Sequence, residues 1–348
     1  MTSASATEVG AEVDAAPGRP PTRTMDLGVP LTEWMLRRSP GPRSLLVVFW
    51  VAAILVAPFA SFGAQRITEP TREIDVFGEV GPQVVLAYVV ALLLYGVGRL
   101  VDRAASLGPD VEHLMIRRTL SEAPLRLWDV VGPLSLSGLV IAAASNGSWQ
   151  VNGAVPTIVL LPFLALAVIP VMTFAWTYIR LLIGLDSLGR SSLALGSFPQ
   201  DRSLGLHAIG SLAFSGFLLL AAAVIPALVT TGNPTTFVVA LVILTVNIPI
   251  FFRSMWRLHG QMREAKGGYL REARALYAAA YAPLRIDASV EVLRTQGPVL
   301  DAARALEERA ERIQTWPIDD GLIALVGFIV AGVASGVVVR FIAIAAHL

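Results

Sequence analysis

The sequence predicts an all-α polytopic membrane protein with seven transmembrane helices and a cytoplasmic helical hairpin between helices 6 and 7. Three observations support this fold class. Of the 348 residues, 55% are apolar and only 15% are charged, a balance too apolar for an ordinary soluble enzyme. Apolar runs long enough to cross about 30 Å of hydrocarbon recur along the chain. One polar-patterned stretch, residues 254–318, separates the last such run from the others.

Residues 1–40 are predicted to form a disordered cytoplasmic tail, because Ala, Thr, Pro, Gly and Glu dominate and apolar periodicity is absent until the end of the tail. No short apolar core with a cleavage site follows Met1, so we expect no signal peptide. At the end of the tail, Leu31–Arg38 is expected to form a short interfacial helix, since Trp34 and its apolar neighbours stand beside two arginines.

A six-helix transmembrane bundle is predicted over residues 41–253, and a seventh transmembrane helix over residues 319–348. Prolines within these spans are tolerated because neighbouring helices can satisfy the freed backbone groups. The third span is the weakest, since serines and glycines dilute its apolar pattern. The predicted spans are Ser44–Phe62, Pro82–Leu100, Leu127–Ala144, Val155–Leu185, Leu204–Val229, Thr236–Phe252 and Gly321–Ala346.

The distribution of basic residues predicts the orientation of the chain in the membrane. Segments that would share one side carry 24 Lys and Arg residues, and those on the other side carry two, Arg66 and Arg72. Leaving out the eleven in the long sixth connection still gives 13 against two. We therefore expect a multi-pass cell-membrane protein with a cytoplasmic N-terminus and, after seven spans, an extracytoplasmic C-terminus.

Residues 254–318 are predicted to form the hairpin from two helices, each with one apolar seam. The first helix should end at Pro283, and Gly297-Pro298 should start or interrupt the second. The seams would pack against each other as an antiparallel pair, or each would meet its copy in another subunit. The seam residues are Leu258, Met262, Ala265, Tyr269, Ala273, Leu276 and Ala280 in the first helix, and Val299, Ala303, Leu306, Ala310 and Ile313 in the second.

The turn that joins the hairpin to the last span is the first candidate functional element. Trp316 suits the headgroup region and Pro317 ends the incoming helix, while Asp319 or Asp320 can cap the outgoing one. As a functional element, the turn would be a hinge that transmits hairpin motion into the seventh helix. As a structural element, it would be an ordinary connection at the membrane surface, which the local role of each residue favours.

The seventh span carries small residues at helical spacing, including one GxxxG motif, and a single arginine near its outer end. Small residues let helices approach closely, or let a helix line a pore without filling it. The arginine can extend to the interface or face a pore. This predicted pore or packing face consists of Gly327, Ala331, Gly332, Ser335, Gly336 and Arg340.

Charged residues between the fourth and fifth predicted spans form a third candidate, at the inner membrane face. Asp186 and Arg190 are four residues apart and can pair at a helix end. Asp201, Arg202 and His207 stand at the entrance to the fifth span. As a site, these residues would bind an anionic headgroup or another anionic ligand. As structure, they would be helix caps and interfacial charges.

The sequence favours no enzymatic activity, cofactor or metal site. It contains no HExxH, GxSxG, P-loop or Rossmann glycine pattern, and no cysteine. Its four histidines have no metal-ligand spacing. No Asp, Glu or Lys lies in the middle of a predicted span, which argues against a proton-coupled transporter. Since the basic residues follow the positive-inside rule, nucleic acid is not an expected partner.

In its layout, with seven spans, an inner N-terminus and a cytoplasmic helical segment before the last span, the chain resembles the insect chemoreceptor-type channel superfamily. The resemblance implies that the seventh helix lines a tetrameric pore and that the preceding cytoplasmic helices hold the subunits together. The last helix lacks the aromatic and glutamine-containing signature of that family, so no residue role is carried over.

The leading functional hypothesis is an oligomeric channel or receptor-like channel with a cytoplasmic helical assembly segment. One alternative is a membrane scaffold or signalling module that docks a cytosolic partner through the hairpin. Another is a transporter or binder of a lipid or apolar small molecule, because apolar substrates need no buried charge. The expected partners are membrane lipid, further copies of the same chain and a cytosolic protein.

Overall fold

The fold is all-helical. In a computed structural model, the described residues are 30–39, 42–68, 76–114, 128–152, 154–191, 193, 203–230, 234–286, 289–318, 321, 323–332 and 335–336, and 92% of them are helical, with no strands. Residues 1–29 of the predicted disordered tail lie outside these ranges. The helices are α1 (Leu31–Arg38), α2 (Arg43–Thr68), α3 (Val76–Leu114), α4 (Trp128–Asn152), α5 (Ala154–Leu188), α6 (His207–Thr230), α7 (Pro234–Ile286), α8 (Val290–Glu311) and α9 (Ile323–Gly332).

Five of these helices are long and apolar enough to cross a membrane, so the chain has the character of a membrane-embedded protein. They are α2, α3 over Val80–Leu107, α5, α6 over His207–Pro226, and α7 from Phe237. The predicted third and seventh spans lie where the described apolar stretches are shorter, Val130–Ser145 within α4 and Ile323–Gly332 in α9. α4 itself has 25 residues, about 38 Å at 1.5 Å per residue. The described residues therefore supply five full-length apolar spans, and the count of seven stays a prediction.

The main hydrophobic core lies among α3, α5, α6 and α7, with α5 at its centre. α5 contacts all of α1 to α4 as well as α6 and α7. Phe174 of α5, Phe217 of α6 and Phe251 of α7 are fully buried in this core, and the rings of the last two lie 5.1 Å apart. α6 begins three residues later than predicted, because Leu204 and Gly205 adopt positive φ in the turn before it.

α7 is one continuous helix of 53 residues, which includes both the sixth predicted span and the first predicted hairpin helix. It continues three residues past Pro283, where the sequence pattern predicts its end. The prediction for Gly297-Pro298 is also wrong, because α8 starts at Val290 and runs through both residues. A proline removes only one intrahelical hydrogen bond, and the neighbouring turns keep theirs.

α8 packs antiparallel to the second half of α7. Four alanines, seven residues apart in each helix, are buried where α7 and α8 contact each other: Ala273 and Ala280 on α7, and Ala303 and Ala310 on α8, each at most 3% exposed. We call these four residues the alanine seam. Small side chains at this spacing let two helix axes approach to the short end of the usual 8–10 Å range.

Three residues predicted to lie within the hairpin seams are instead outside the contact. Leu276, Val299 and Leu306 are 42%, 44% and 44% exposed. Their apolar character predicts burial, but once the helices approach closely enough for alanines to meet, larger side chains fit only beside the seam. They therefore flank the α7–α8 contact.

Candidate functional site

The chain that leaves α8 is fixed to α7 before it reaches α9. Lys266, the single lysine of the sequence, donates hydrogen bonds from Nζ to the carbonyl oxygens of Glu311 and Ile313, at 2.7 and 2.8 Å. These carbonyls lie at the C-terminal end of α8, where the helix itself supplies no partner. A lysine at this position therefore caps α8 and ties its end to α7.

Trp316 is surrounded by aromatic side chains of α7. Its ring stacks on His259 with centroids 4.2 Å apart, and it meets Phe252 and Trp256 edge-on at 5.7 and 6.3 Å. Nδ1 of His259 lies 2.7 Å from the carbonyl oxygen of Thr315, and because a carbonyl only accepts, Nδ1 carries the proton. These contacts hold the turn after α8 against α7.

On its other side, the same turn contacts α6. The carbonyl of Pro317 lies so close to Gly210 that a Cβ there would overlap it, and Ile318 is buried in the main core. Of the predicted hinge residues, Trp316 and Pro317 are thus packed between two helices, while Asp319 and Asp320 lie outside the described residues. The hinge remains a prediction, and any motion of the turn would have to be shared with α6 and α7.

α9 contacts the bundle along one side only. Ile323, Val326 and Ile329 pack against the main core. The predicted pore or packing face is exposed in a single copy of the chain, and a Cβ at any of its three glycines would meet nothing within 4 Å. This face consists of Gly327, Ala331, Gly332, Ser335 and Gly336, with Arg340 outside the described residues.

The predicted inner-face site contains two arginines that the sequence pattern did not single out. Asp186 of α5 accepts hydrogen bonds from Nε and Nη2 of Arg190, at 3.0 and 2.6 Å. Arg257 and Arg253, one turn apart on α7, reach the other carboxylate oxygen of Asp186 at 3.3 and 4.0 Å. We call these four residues the Asp186 cluster. The only sequence signal for the added pair is its spacing of four, which places both arginines on one helix face.

Close packing of α5 on α7 fixes the backbone beside the cluster. A Cβ at Gly189 would lie 2.7 Å from Cβ of Arg257, so only glycine allows this approach. The side-chain amide of Gln261 donates to the carbonyl oxygens of Gly189 and Ser191, at 2.9 and 2.7 Å. Of the other predicted residues of this site, His207 is exposed at the start of α6, and Asp201 and Arg202 lie outside the described residues.

A second charged network, which the sequence pattern did not reveal, holds α1 on the bundle. The carboxylate of Glu33 is buried and accepts hydrogen bonds from Arg43 at 2.9 Å and from Arg37 at 3.0 Å. Arg43 also donates to the carbonyl oxygen of Leu94, and its guanidinium occupies the space that a side chain at Gly98 would fill. Buried charge is retained at low cost only when paired in this way.

One cavity of about 220 Å³ lies among α2, α3, α4 and α5. Its walls are mainly apolar, from residues such as Ile54 and Leu161, with polar side chains from Gln83, Ser145 and Thr157. Its volume is below the range of about 300–1,000 Å³ that is usual for small-molecule sites. Within the part of the chain that the structure describes, no three His, Cys, Asp or Glu side chains are close enough to hold a metal ion.

No family model, curated protein or solved structure matches the chain.

Proposed function

We propose that the chain is a homo-oligomeric membrane channel, assembled through α8 and the second half of α7, with α9 facing the pore. The observation that carries this proposal is the exposed apolar face of the α7–α8 pair, formed by Leu276, Val299 and Leu306. In the proposed topology this pair lies outside the bilayer. Apolar side chains grouped on a water-exposed element favour a contact with another protein surface.

The two flanks of the alanine seam differ in chemistry. Val299 and Leu306 are seven residues apart and share one flank of α8, whereas Glu307, 100° further round the helix, lies on the opposite flank. There Glu307 accepts a hydrogen bond from Arg274 at 2.9 Å. One flank is thus closed by an ion pair within the chain, and the other offers apolar side chains to a second copy.

α9 supports the same proposal from within the membrane. It follows directly on the turn held by α6 and α7, and its small-residue face is exposed in a single copy. If the copies meet through the α7–α8 pair around an axis, the α9 helices are carried toward one another. Glycine, alanine and serine facing such an axis leave room for a narrow permeation path.

We propose the topology that the basic residues predict, a cell-membrane protein with a cytoplasmic N-terminus and an extracytoplasmic C-terminus. The five full-length spans would then be completed by α4 and by a last helix that begins in α9, which makes seven crossings. The Lys and Arg distribution of 24 against two supports this orientation. The substitutions Ser148→Cys and Ala288→Cys, each made alone, test this orientation. An impermeant maleimide added from outside should label the cysteine at position 148 and not the one at position 288.

Oligomeric mass and conductance test the channel. The full chain in neutral detergent should have the mass of a multimer by mass photometry, and it should conduct ions in planar bilayers. The double variant Val299→Gln/Leu306→Gln should weaken association at least about tenfold, since each side chain loses about 1 kcal/mol of burial. The matched control Arg304→Gln/Glu308→Gln removes an exposed ion pair of α8 on the side away from Val299 and Leu306. This control should leave the multimer intact.

A monomeric wild-type chain would rule out assembly through this face, and a non-conducting multimer would rule out the channel. If the chain is a monomer and the Val299→Gln/Leu306→Gln variant loses a cytosolic protein that the wild type binds, the scaffold hypothesis replaces the channel. Equal association of the variant and wild type would exclude the face from either role.

A second candidate function, the binding of an apolar small molecule, is favoured by the cavity among α2 to α5. Its apolar walls with three polar side chains, Gln83, Ser145 and Thr157, suit a ligand with an apolar body and one polar end. Filling the cavity with Leu161→Trp should abolish binding of a fluorescent fatty-acid probe, whereas Ile158→Trp, at an exposed position on the same helix, should not. The absence of saturable probe binding to the wild type would exclude this function.

A further inference from the structure

We infer that the Asp186 cluster binds a phosphate oxyanion, as carried by the headgroup of an anionic phospholipid. Among the described residues, three guanidinium groups, from Arg190, Arg253 and Arg257, surround a single carboxylate, which is an excess of two positive charges. These arginine side chains are 40% to 67% exposed, so the excess charge is accessible at the surface. It favours an anion from outside the chain.

The cluster is oriented before any ligand binds. Asp186 is 24% exposed and holds Arg190 through Nε and Nη2 and Arg257 through Nε, which leaves Nη1 of Arg190 and both Nη groups of Arg257 without a partner among the described residues. Arg253, the most exposed member, adds a third cation at the edge. Planar guanidinium donors suit phosphate oxygens, and donors that are already positioned lose less entropy on binding.

The aromatic residues near the Asp186 cluster indicate that it lies at the depth of the lipid headgroups. Trp256 lies between Arg253 and Arg257 in sequence, is largely exposed, and contacts Trp316. Tryptophan concentrates at membrane–water interfaces, where the phosphates of lipid headgroups also lie. Arg257, one residue away, and Arg253, three residues away on the same turn of α7, therefore lie at the level of those phosphates.

The end of α5 opposes an anion, but only weakly. A helix C-terminus carries about half a negative elementary charge. Here, however, the carbonyls of Leu185 and Leu188 accept hydrogen bonds from Gly189 N and Ser191 N, at 3.0 and 3.1 Å. The remaining excess of positive charge, above one elementary charge, still favours the anion.

The inference is tested by lipid titration of the full chain in neutral detergent. Native mass spectrometry should detect bound phosphatidylglycerol in preference to phosphatidylcholine of the same acyl chains. The double variant Arg253→Gln/Arg257→Gln should weaken phosphatidylglycerol binding about 25-fold, at about fivefold for each arginine near a membrane surface. The charge-matched control Arg271→Gln/Arg294→Gln, exposed on α7 and α8, should change it less than about twofold.

Two further measurements distinguish a lipid headgroup from free phosphate as the ligand, and a loss of binding from a loss of folding. Thermal stabilisation by millimolar inorganic phosphate, lost in the double variant, would identify free phosphate as a ligand, while stabilisation by phosphatidylglycerol alone would identify the lipid headgroup. Arg253→Lys/Arg257→Lys keeps the charge but loses the planar donors, so it should bind phosphatidylglycerol more weakly than the wild type and more tightly than the Gln variant. Equal binding of the two lipids, or equal losses in the double variant and the control, would overturn the inference. This outcome is independent of the oligomeric mass that tests the channel.

Discussion

The backbone carbonyl of Pro317 lies directly against Gly210 of α6, so that a Cβ at position 210 would overlap it. Both partners are fixed, since Gly210 is inside a helix and Pro317 is followed by the buried Ile318. The glycine therefore sets how closely the turn after α8 approaches the bundle, and substitutions there separate two parts of the main core.

We expect Gly210→Ala to lower the free energy of unfolding by about 1–3 kcal/mol, because backbone atoms must move apart to admit the methyl group. Gly260→Ala on α7 is the control, since a Cβ there meets nothing within 4 Å and alanine favours a helix by up to about 1 kcal/mol. Thermal unfolding followed by tryptophan fluorescence measures both. A Gly210→Ala protein as stable as Gly260→Ala would contradict the close contact.

The pairing of Glu33 with Arg43 predicts strong coupling between the two side chains. Removing Glu33 alone leaves the guanidinium of Arg43 beside α3 without its carboxylate, which should cost about 1–3 kcal/mol. The double variant Glu33→Ala/Arg43→Ala should cost clearly less than the sum of the single variants. Chemical or thermal unfolding of all four proteins completes the cycle, and additive losses would show that the pair contributes nothing to the docking of α1.

The alanine seam predicts a sharp difference between neighbouring positions of α8. Ala303→Leu should destabilise the α7–α8 pair by about 1–3 kcal/mol, because the seam has no room for three more carbon atoms. Ala302→Leu makes the same change at an exposed position and should be nearly neutral. Hydrogen exchange of residues 290–311 reports on the pair directly. Equal exchange in both variants would argue that the seam is not close-packed.

Lys266→Met should release the C-terminal end of α8, because Met cannot donate to the carbonyls of Glu311 and Ile313. Backbone exchange over residues 308–313 should accelerate by about tenfold, the equivalent of one hydrogen bond from a charged donor. Arg263→Met removes a positive charge from an exposed position nearby on α7 and should leave that exchange unchanged. If both variants accelerate it equally, general electrostatics and not the cap would be responsible.

The helical character of the chain and most of its apolar spans could be predicted from sequence, because each depends on a local run of side chains. The range of α1, Leu31–Arg38, follows from a local pattern of this kind. The internal break expected at Gly297-Pro298 is absent, since contacts with α7 support α8 through both residues. Tertiary packing here outweighs local propensity.

The contacts that build the candidate sites depend on pairs that are distant in sequence. Asp186 and Arg257 come from different helices, and so do Arg37 and Asp102, so no spacing rule links them. The choice of Ala303 over Leu306 for the seam depends on the distance between two helix axes, which apolar patterning does not encode. The sequence pattern therefore predicts the pairing of Asp186 with Arg190, which are one turn apart, but not their cross-helix partners.

The continuity of α7 couples the main core to the α7–α8 pair. Its 53 residues extend about 80 Å, and the part beyond Met262, the last residue of α7 that is fully buried in the main core, accounts for about 36 Å. A tilt of about 10° pivoting near Met262 would displace the far end by about 6 Å, as a consequence of this length. α7 thus acts as a lever whose longer arm is held in the main core and whose shorter arm carries α8, so that a small rotation of the core helices moves the far end of the pair by several ångströms.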